Sequence, residues 1–247
     1  MSTTLTPTLH QAVRGSFAHA LGGLLDVLLP ARCAGCDAVR GHLCPGCRQV
    51  LATARPGPAT ALPRVHAAAP YADPVRGLLL AHKERGALRL AGPLGDALAL
   101  AVRSSLGPDA GHAALLLVPV PSARAAVRAR GHDPTLRLAG SAARALRRTG
   151  LDARAAPLLR HARPVADQTG LSAAERRRNL HGALTVLPGA PRRLAGRLPV
   201  LVDDLVTTGA SLAEAARALA AAGLPPGAAA TVAAAVPRRT GRGPARP

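Results

Sequence analysis

Two short apolar runs, Leu115 to Val118 and Val200 to Val202, stand out from a chain patterned mostly for helices. Both are unbroken rather than alternating, which fits strands covered on both faces, as in a parallel sheet. Pro119-Val120-Pro121 stops the first run sharply, and Pro199 and two carboxylates bound the second. Around them, apolar residues recur at helical spacing. Residues 71–86, YADPVRGLLLAHKERG, predict a helix opened by Asp73-Pro74, with the proline in the first turn, and closed near Gly86. Residues 87–106 predict a second helix, and an alanine-rich helical pattern runs up to Gly223. Leu21, Leu24, Leu25 and Leu28 line one face of an amphipathic segment at the N-terminus. Strands alternating with helices predict an α/β fold, a parallel sheet flanked by helices.

The segments then divide into an amphipathic helix at 1–30, a cysteine module at 31–52, a Pro-rich linker at 53–66, an α/β domain at 67–236 and a disordered basic tail at 237–247. A chain of 247 residues is long enough for one such domain of about 150 to 180 residues and a small appendage. With aromatic content of 1%, only Phe17 and Tyr71, the core must be Leu, Val and Ala. Net charge is +19, yet Lys83 is the only lysine, and the excess of Ala, Gly, Pro and Arg looks like the drift of a GC-rich genome. The distribution says more than the total: residues 121–200 hold 16 Arg against four acids, or +12. Such a field attracts polyanions, a diphosphate or a nucleic-acid backbone. No segment reaches the roughly 18 unbroken apolar residues of a membrane span, and Asp26 interrupts any secretory apolar stretch. The expectation is a cytoplasmic protein.

All four cysteines fall in two knuckles, Cys33-x2-Cys36 and Cys44-x2-Cys47. Paired C-x-x-C turns are the usual way to set four thiolates around Zn2+, and Gly35 and Gly46 lie inside the turns. Two disulfides and a redox pair are the alternatives; a cytoplasmic setting disfavours the first, and a redox motif normally occurs once. Four thiolates leave no open coordination position, so the zinc is expected to be structural. His42 is expected at the surface.

Most informative is VLVDDLVTTGAS, residues 200–211, which reads as strand, acidic pair, phosphate loop and helix. Asp203 and Asp204 end the strand. Val206, Thr207, Thr208, Gly209, Ala210 and Ser211 offer backbone amides and three hydroxyls at a helix N-terminus, and Gly209 permits close approach of an anion. Carboxylates beside a phosphate cradle make sense if they accept hydrogen bonds from sugar hydroxyls or hold a divalent cation through water. A sugar phosphate is the implied ligand; the bland alternative is a strand-to-helix turn with Thr and Ser as caps. No Walker loop and no dinucleotide fingerprint is present. After the first strand, Arg124, Arg128 and Arg130 lead to Gly131, a basic loop suited to a diphosphate, or else a solvated Arg face on a short helix. Lys83 is a candidate for the same anion, being a compact rotatable donor, or else a lysine that survived by chance. A polar stretch containing Gln168, Arg176 and Asn179 is expected to be a mobile loop that closes over a ligand.

The acid-acid-x-x-Thr-Thr-Gly pattern closely resembles the phosphoribosyl diphosphate (PRPP) signature of type I phosphoribosyltransferases. With the cysteine knuckles, Tyr71-x-x-Pro74, Pro119-Val120-Pro121, Arg130-Gly131 and Gln168-x-x-Leu171, the order of motifs over about 20–236 looks like the ComF/GntX-like family. The chain departs from it at His132-Asp133, where Phe-Asn is usual. The resemblance implies a phosphoribosyltransferase-like domain with an N-terminal zinc finger, using Mg2+. It further implies that Asp203 and Asp204 orient the ribose as catalytic residues, that Val206 to Ser211 bind the 5'-phosphate, and that Arg124, Arg128, Arg130, Gly131 and Lys83 hold the diphosphate. Single-stranded DNA binding in competence-type DNA uptake is the second expectation, although two aromatics make a poor base-stacking platform. A PRPP sensor without turnover is the third. No acceptor pocket or protein partner is legible.

Overall fold

The computed structural model describes residues 32–58, 65–106, 113–165 and 172–235. The segment at 1–30, Gln168 and the tail at 237–247 lie outside them. The helices are α1 (Pro45–Ala52), α2 (Val75–Glu84), α3 (Ala91–Ser105), α4 (Arg124–Arg130), α5 (Pro134–Arg148), α6 (Ala173–Leu180), α7 (Ala190–Leu194) and α8 (Ala210–Ala221). The strands are β1 (Gly57–Pro58), β2 (Val65–Pro70), β3 (Leu115–Pro119), β4 (Ala153–Ala155), β5 (Leu159–His161), β6 (Leu184–Val186), β7 (Leu198–Val206) and β8 (Ala228–Ala234).

Six strands form one sheet in the order β1-β2-β8-β7-β3-β4, parallel throughout except for β1. The molecule is thus an α/β protein with a mostly parallel sheet flanked by helices. Alternate residues of the central strands feed two cores. Leu115, Leu117, Val200 and Val202 pack towards α2, α3 and α5, while Leu116, Val118 and Leu201 pack towards α8 and a separate ribbon formed by β5 and β6. Burial on both faces is why these strands read as unbroken apolar runs. Leu, Val and Ala fill both cores as the composition requires, each fully buried Leu contributing roughly 1.5–3 kcal/mol.

The chain leaves β3 towards β4 on one side and leaves β7 towards β8 on the other. The carboxyl ends of β3 and β7 therefore flank the point where strand order reverses, the place at which an open parallel sheet leaves a crevice. Both segments with anion chemistry, 120–131 and 203–211, start there. Register makes them neighbours: Pro119 pairs with Val202, and the Val120 N–H donates to the Val202 carbonyl at 2.9 Å.

Several local expectations need correction. β7 is longer than Val200–Val202 and includes Pro199, which sits one residue from the strand's start and keeps its carbonyl in use by accepting from Gly227 N at 2.9 Å. The 53–66 stretch is more than a linker: Gly57 and Pro58 pair antiparallel with Ala67 and His66 and extend the sheet by one edge strand. Residues 124–130 form the short helix α4 rather than a loop, ended by Gly131 in the left-handed conformation at φ 73°. Residues 173–180 are helical too, fixed by a capping box in which Ser172 and Glu175 satisfy each other's backbone N–H groups.

The cysteine module belongs to the main core, not to a body of its own. Cys33, Cys44, Cys47 and Leu51 are buried in the same cluster as Leu78, Leu94 and Val202. Gly35 is required for packing rather than for its turn: a Cβ there would lie 2.9 Å from Pro74 Cβ and 3.2 Å from Leu78 Cγ. On the facing helix, a Cβ on Gly77 would lie 2.7 Å from the Ala34 carbonyl oxygen. The first knuckle is thus seated directly on α2. Gly46, in contrast, has open space around it inside α1 and no unusual backbone.

Candidate functional site

β7 carries the acidic pair to the sheet's carboxyl edge. Asp204 is buried and Asp203 partly so, and the Asp204 N–H donates to Asp203 Oδ1 at 2.8 Å. Lys83, in the last turn of α2, places Nζ 2.6 Å from Asp204 Oδ2. Burial alone pulls the Lys83 ammonium down, but Asp204 and then Asp203 outweigh it, and the net shift is upward. Asp203 makes no ion pair of its own among the described residues; burial first, and the Asp204 charge second, push its carboxyl well above the usual carboxylate range against a smaller opposing pull from Lys83. A group held this far from its ordinary value, at the mouth of a sheet crevice, is a binding or catalytic candidate.

The segment after the acids turns at Gly209, whose φ of 75° makes glycine the fitting residue there. α8 follows, twelve residues long, and no side chain caps its N-terminus. Thr208 Oγ1 accepts weakly from Ala210 N at 3.4 Å, and Thr207 is exposed. Free amides and hydroxyls at the positive end of a helix are a ready anion cradle. The helix is anchored from its other side: Leu212, Ala215, Ala218 and Leu219 are buried, and the buried Glu214 accepts the Leu184 N–H at 3.0 Å while Arg217 grips its carboxylate at 2.7 and 2.8 Å. Burial favours a neutral Glu214, but Arg217 and the backbone donors reverse that and hold it below its ordinary value. This ion pair fastens the β5–β6 ribbon to α8.

The three arginines predicted to share one anion are divided by α4. Arg124 and Arg128, one turn apart, line a cleft of about 480 Å³ whose other wall is Arg160, His161 and Arg163. Arg163 spends its guanidinium on the carbonyls of Pro164, Asn179 and His181. Arg130 turns the other way and is held by Glu84, with Nε and Nη2 each 2.8 Å from a carboxylate oxygen. Sequence reasoning missed Glu84, Arg160 and Glu214; a lone acid next to the lone lysine was the one available signal, and only for Glu84. Arg176 sits on α6 with its Nε buried and without a partner among the described residues, and Asn179 lies one turn further on.

The four cysteine sulfurs lie within 4.8 Å of one another, with Cys36 Sγ and Cys44 Sγ 3.5 Å apart. Zn–S bonds of about 2.3 Å imply sulfur separations of about 3.8 Å in a tetrahedron, so the cluster could hold a metal such as zinc. Its thiols are shifted in opposite directions. Burial raises Cys33, but backbone N–H groups led by that of Cys44 bring it down to about 6, while burial and the other thiols drive Cys47 upward. His42 is exposed and no member of the cluster, as expected.

Among the described residues no helix is long and apolar enough to cross a membrane. Compared by sequence, the chain matches no protein-family model and no curated protein.

Proposed function

We propose that the chain binds PRPP through a phosphoribosyltransferase-like site at the reversal point of its sheet, with zinc in the cysteine cluster as a structural element. One observation carries the reading: an acidic pair on β7 runs through a left-handed glycine into the uncapped N-terminus of α8, next to an arginine-bearing helix on the adjacent strand. The acids suit ribose hydroxyls, the amides and Thr207, Thr208 and Ser211 suit the 5'-phosphate, and the arginines suit a diphosphate. Asp203, which makes no direct ion pair among the described residues, also offers the hard oxygen that a water-bridged Mg2+ requires; bound there, Mg2+ would offset the charge of the diphosphate.

In the transferase form of this reading the C1–oxygen bond breaks, its electron pair leaves with the diphosphate, and the acceptor's lone pair forms the new bond to C1 as the acceptor gives up a proton. The protein contributes position and charge: Asp203 orients the hydroxyls, Arg130 on the side of the acids meets the departing diphosphate, and Arg124 and Arg128 add their field from the other face of α4. A binder without turnover uses the same contacts. Calorimetry with PRPP and Mg2+, followed by a screen of bases and amines for diphosphate release, separates the two. A single-stranded DNA partner has one observation in its favour, the cleft with Arg124, Arg128 and Arg160, none of them paired to a carboxylate among the described residues. It predicts oligonucleotide binding that weakens steeply with salt and is lost on charge reversal of Arg124 and Arg128.

A further inference from the structure

We propose that Glu84 is a built-in competitor for the anionic end of the ligand, occupying Arg130 until a diphosphate displaces it. The inference rests on the reading of 120–131 as a diphosphate subsite. Glu84 meets Arg130 in a two-pronged pairing, both contacts at 2.8 Å, which is the pairing a guanidinium makes with phosphate oxygens. The residue before it, Lys83, covers Asp204 at 2.6 Å. Two successive residues at the end of α2 thus place an ammonium on the site's acid and a carboxylate on the site's guanidinium. Each stands where a ligand group of the same sign would go.

The pairing is asymmetric in the way a displaceable contact needs to be. Arg130 keeps 19% of its side chain exposed and stays in place, whereas Glu84 keeps 46% and can swing into water. Helix stability does not call for this carboxylate, because Glu84 lies in the last turn of α2, where the helix dipole disfavours negative charge. An exposed pair of this kind is worth about 0–1 kcal/mol, enough to weaken a ligand held through Arg130 alone and too little to exclude one that is also held at Gly209 and Asp203. Glu84 therefore weakens every ligand that uses Arg130 by the same factor, is tolerated by PRPP because of its other contacts, and takes Arg130 back when diphosphate leaves.

The test is calorimetric titration of the full chain with inorganic diphosphate and Mg2+. Glu84→Gln should bind about fivefold more tightly than the parent, the fold-change matching an exposed ion pair. Glu84→Asp should return the parent affinity, and the gain should vanish when Arg130→Ala is combined with Glu84→Gln. Unchanged or weaker binding by Glu84→Gln overturns the proposal, because a Glu84 that merely positioned Arg130 would weaken binding when removed; so does diphosphate binding to none of these proteins. Titration with ribose 5-phosphate reports on the Thr207–Ser211 loop separately. Its failure, alongside tighter diphosphate binding by Glu84→Gln, defeats the PRPP reading and leaves the competitor role standing.

Discussion

The two charged regions at the carboxyl edge of the sheet are built on opposite plans. On the α2 side the charges nearest the acidic pair are matched: Lys83 pairs with Asp204 and Glu84 with Arg130, while Asp203 feels the Lys83 charge without an ion pair of its own among the described residues. On the α4–β5 side Arg124, Arg128 and Arg160 line a cleft with no carboxylate pairing to them among the described residues. Matched charges fix positions and tolerate burial; unmatched ones create a field and stay exposed. The first region has the character of a preorganised site and the second that of an anion guide. On the proposed reading, the contrast would give specificity to β7 and α2, and attraction to α4 and β5.

Removal of the zinc proposed for the cysteine cluster is the largest perturbation available. The first knuckle is seated on α2 through Gly35 and Gly77, so stripping zinc with a chelator, or Cys44→Ser, should lower the thermal midpoint by more than about 10 °C and impair the α2 side first. Scanning calorimetry reads the midpoint; an unchanged melt would separate the cluster from the core. Next in size, Gly209→Ala should weaken ribose 5-phosphate binding at least about tenfold, since an alanine at φ 75° must reorganise the turn that presents the α8 amides. Arg124→Glu with Arg128→Glu should slow association and flatten its salt dependence more than it changes the bound complex, as steering charges do, which stopped-flow binding at several ionic strengths would detect.

Two smaller effects separate stability from binding. Glu214→Ala leaves the Leu184 N–H and Arg217 without their acceptor and should cost about 1–3 kcal/mol in denaturant unfolding, with ligand affinity kept. Because the folded state holds Glu214 below its ordinary value, its contribution is present at neutral pH and is lost as pH falls through that depressed value. Asp203 has the opposite sign. Its folded-state value is raised, so the wild-type carboxylate destabilises the fold once pH exceeds the unfolded value, and Asp203→Asn should melt a few degrees higher at neutral pH with the gain vanishing below about pH 4. A stabilising substitution at this proposed binding residue would mark charge held there for function.

Local features of this architecture were legible in the sequence, and tertiary pairings were not. Unbroken apolar runs announced β3 and β7 because both faces of a central parallel strand are buried. The C-x-x-C spacing announced the cluster, since each knuckle is a local turn. Lys83 was noticed as the sole lysine, but its partner lies 121 residues away and no periodicity points across such a gap. Glu84 and Arg130 are 46 residues apart, and Glu214 reaches Leu184 over 30. Pro199 hid the start of β7, because a proline reads as a boundary even where a strand's first residues tolerate it. Ser172 and Glu175 formed a visible capping box, yet the surrounding polarity read as loop.

The central claim is that the acidic pair and the α8 N-terminus together bind the sugar phosphate of PRPP. Calorimetry of the parent and of Asp203→Asn with PRPP and Mg2+ tests it most directly. The account predicts saturable one-to-one binding by the parent and a loss of about tenfold or more in the variant, which by the stability argument remains folded. Equal PRPP affinity in the two proteins, or no binding by the metal-loaded parent, would contradict it.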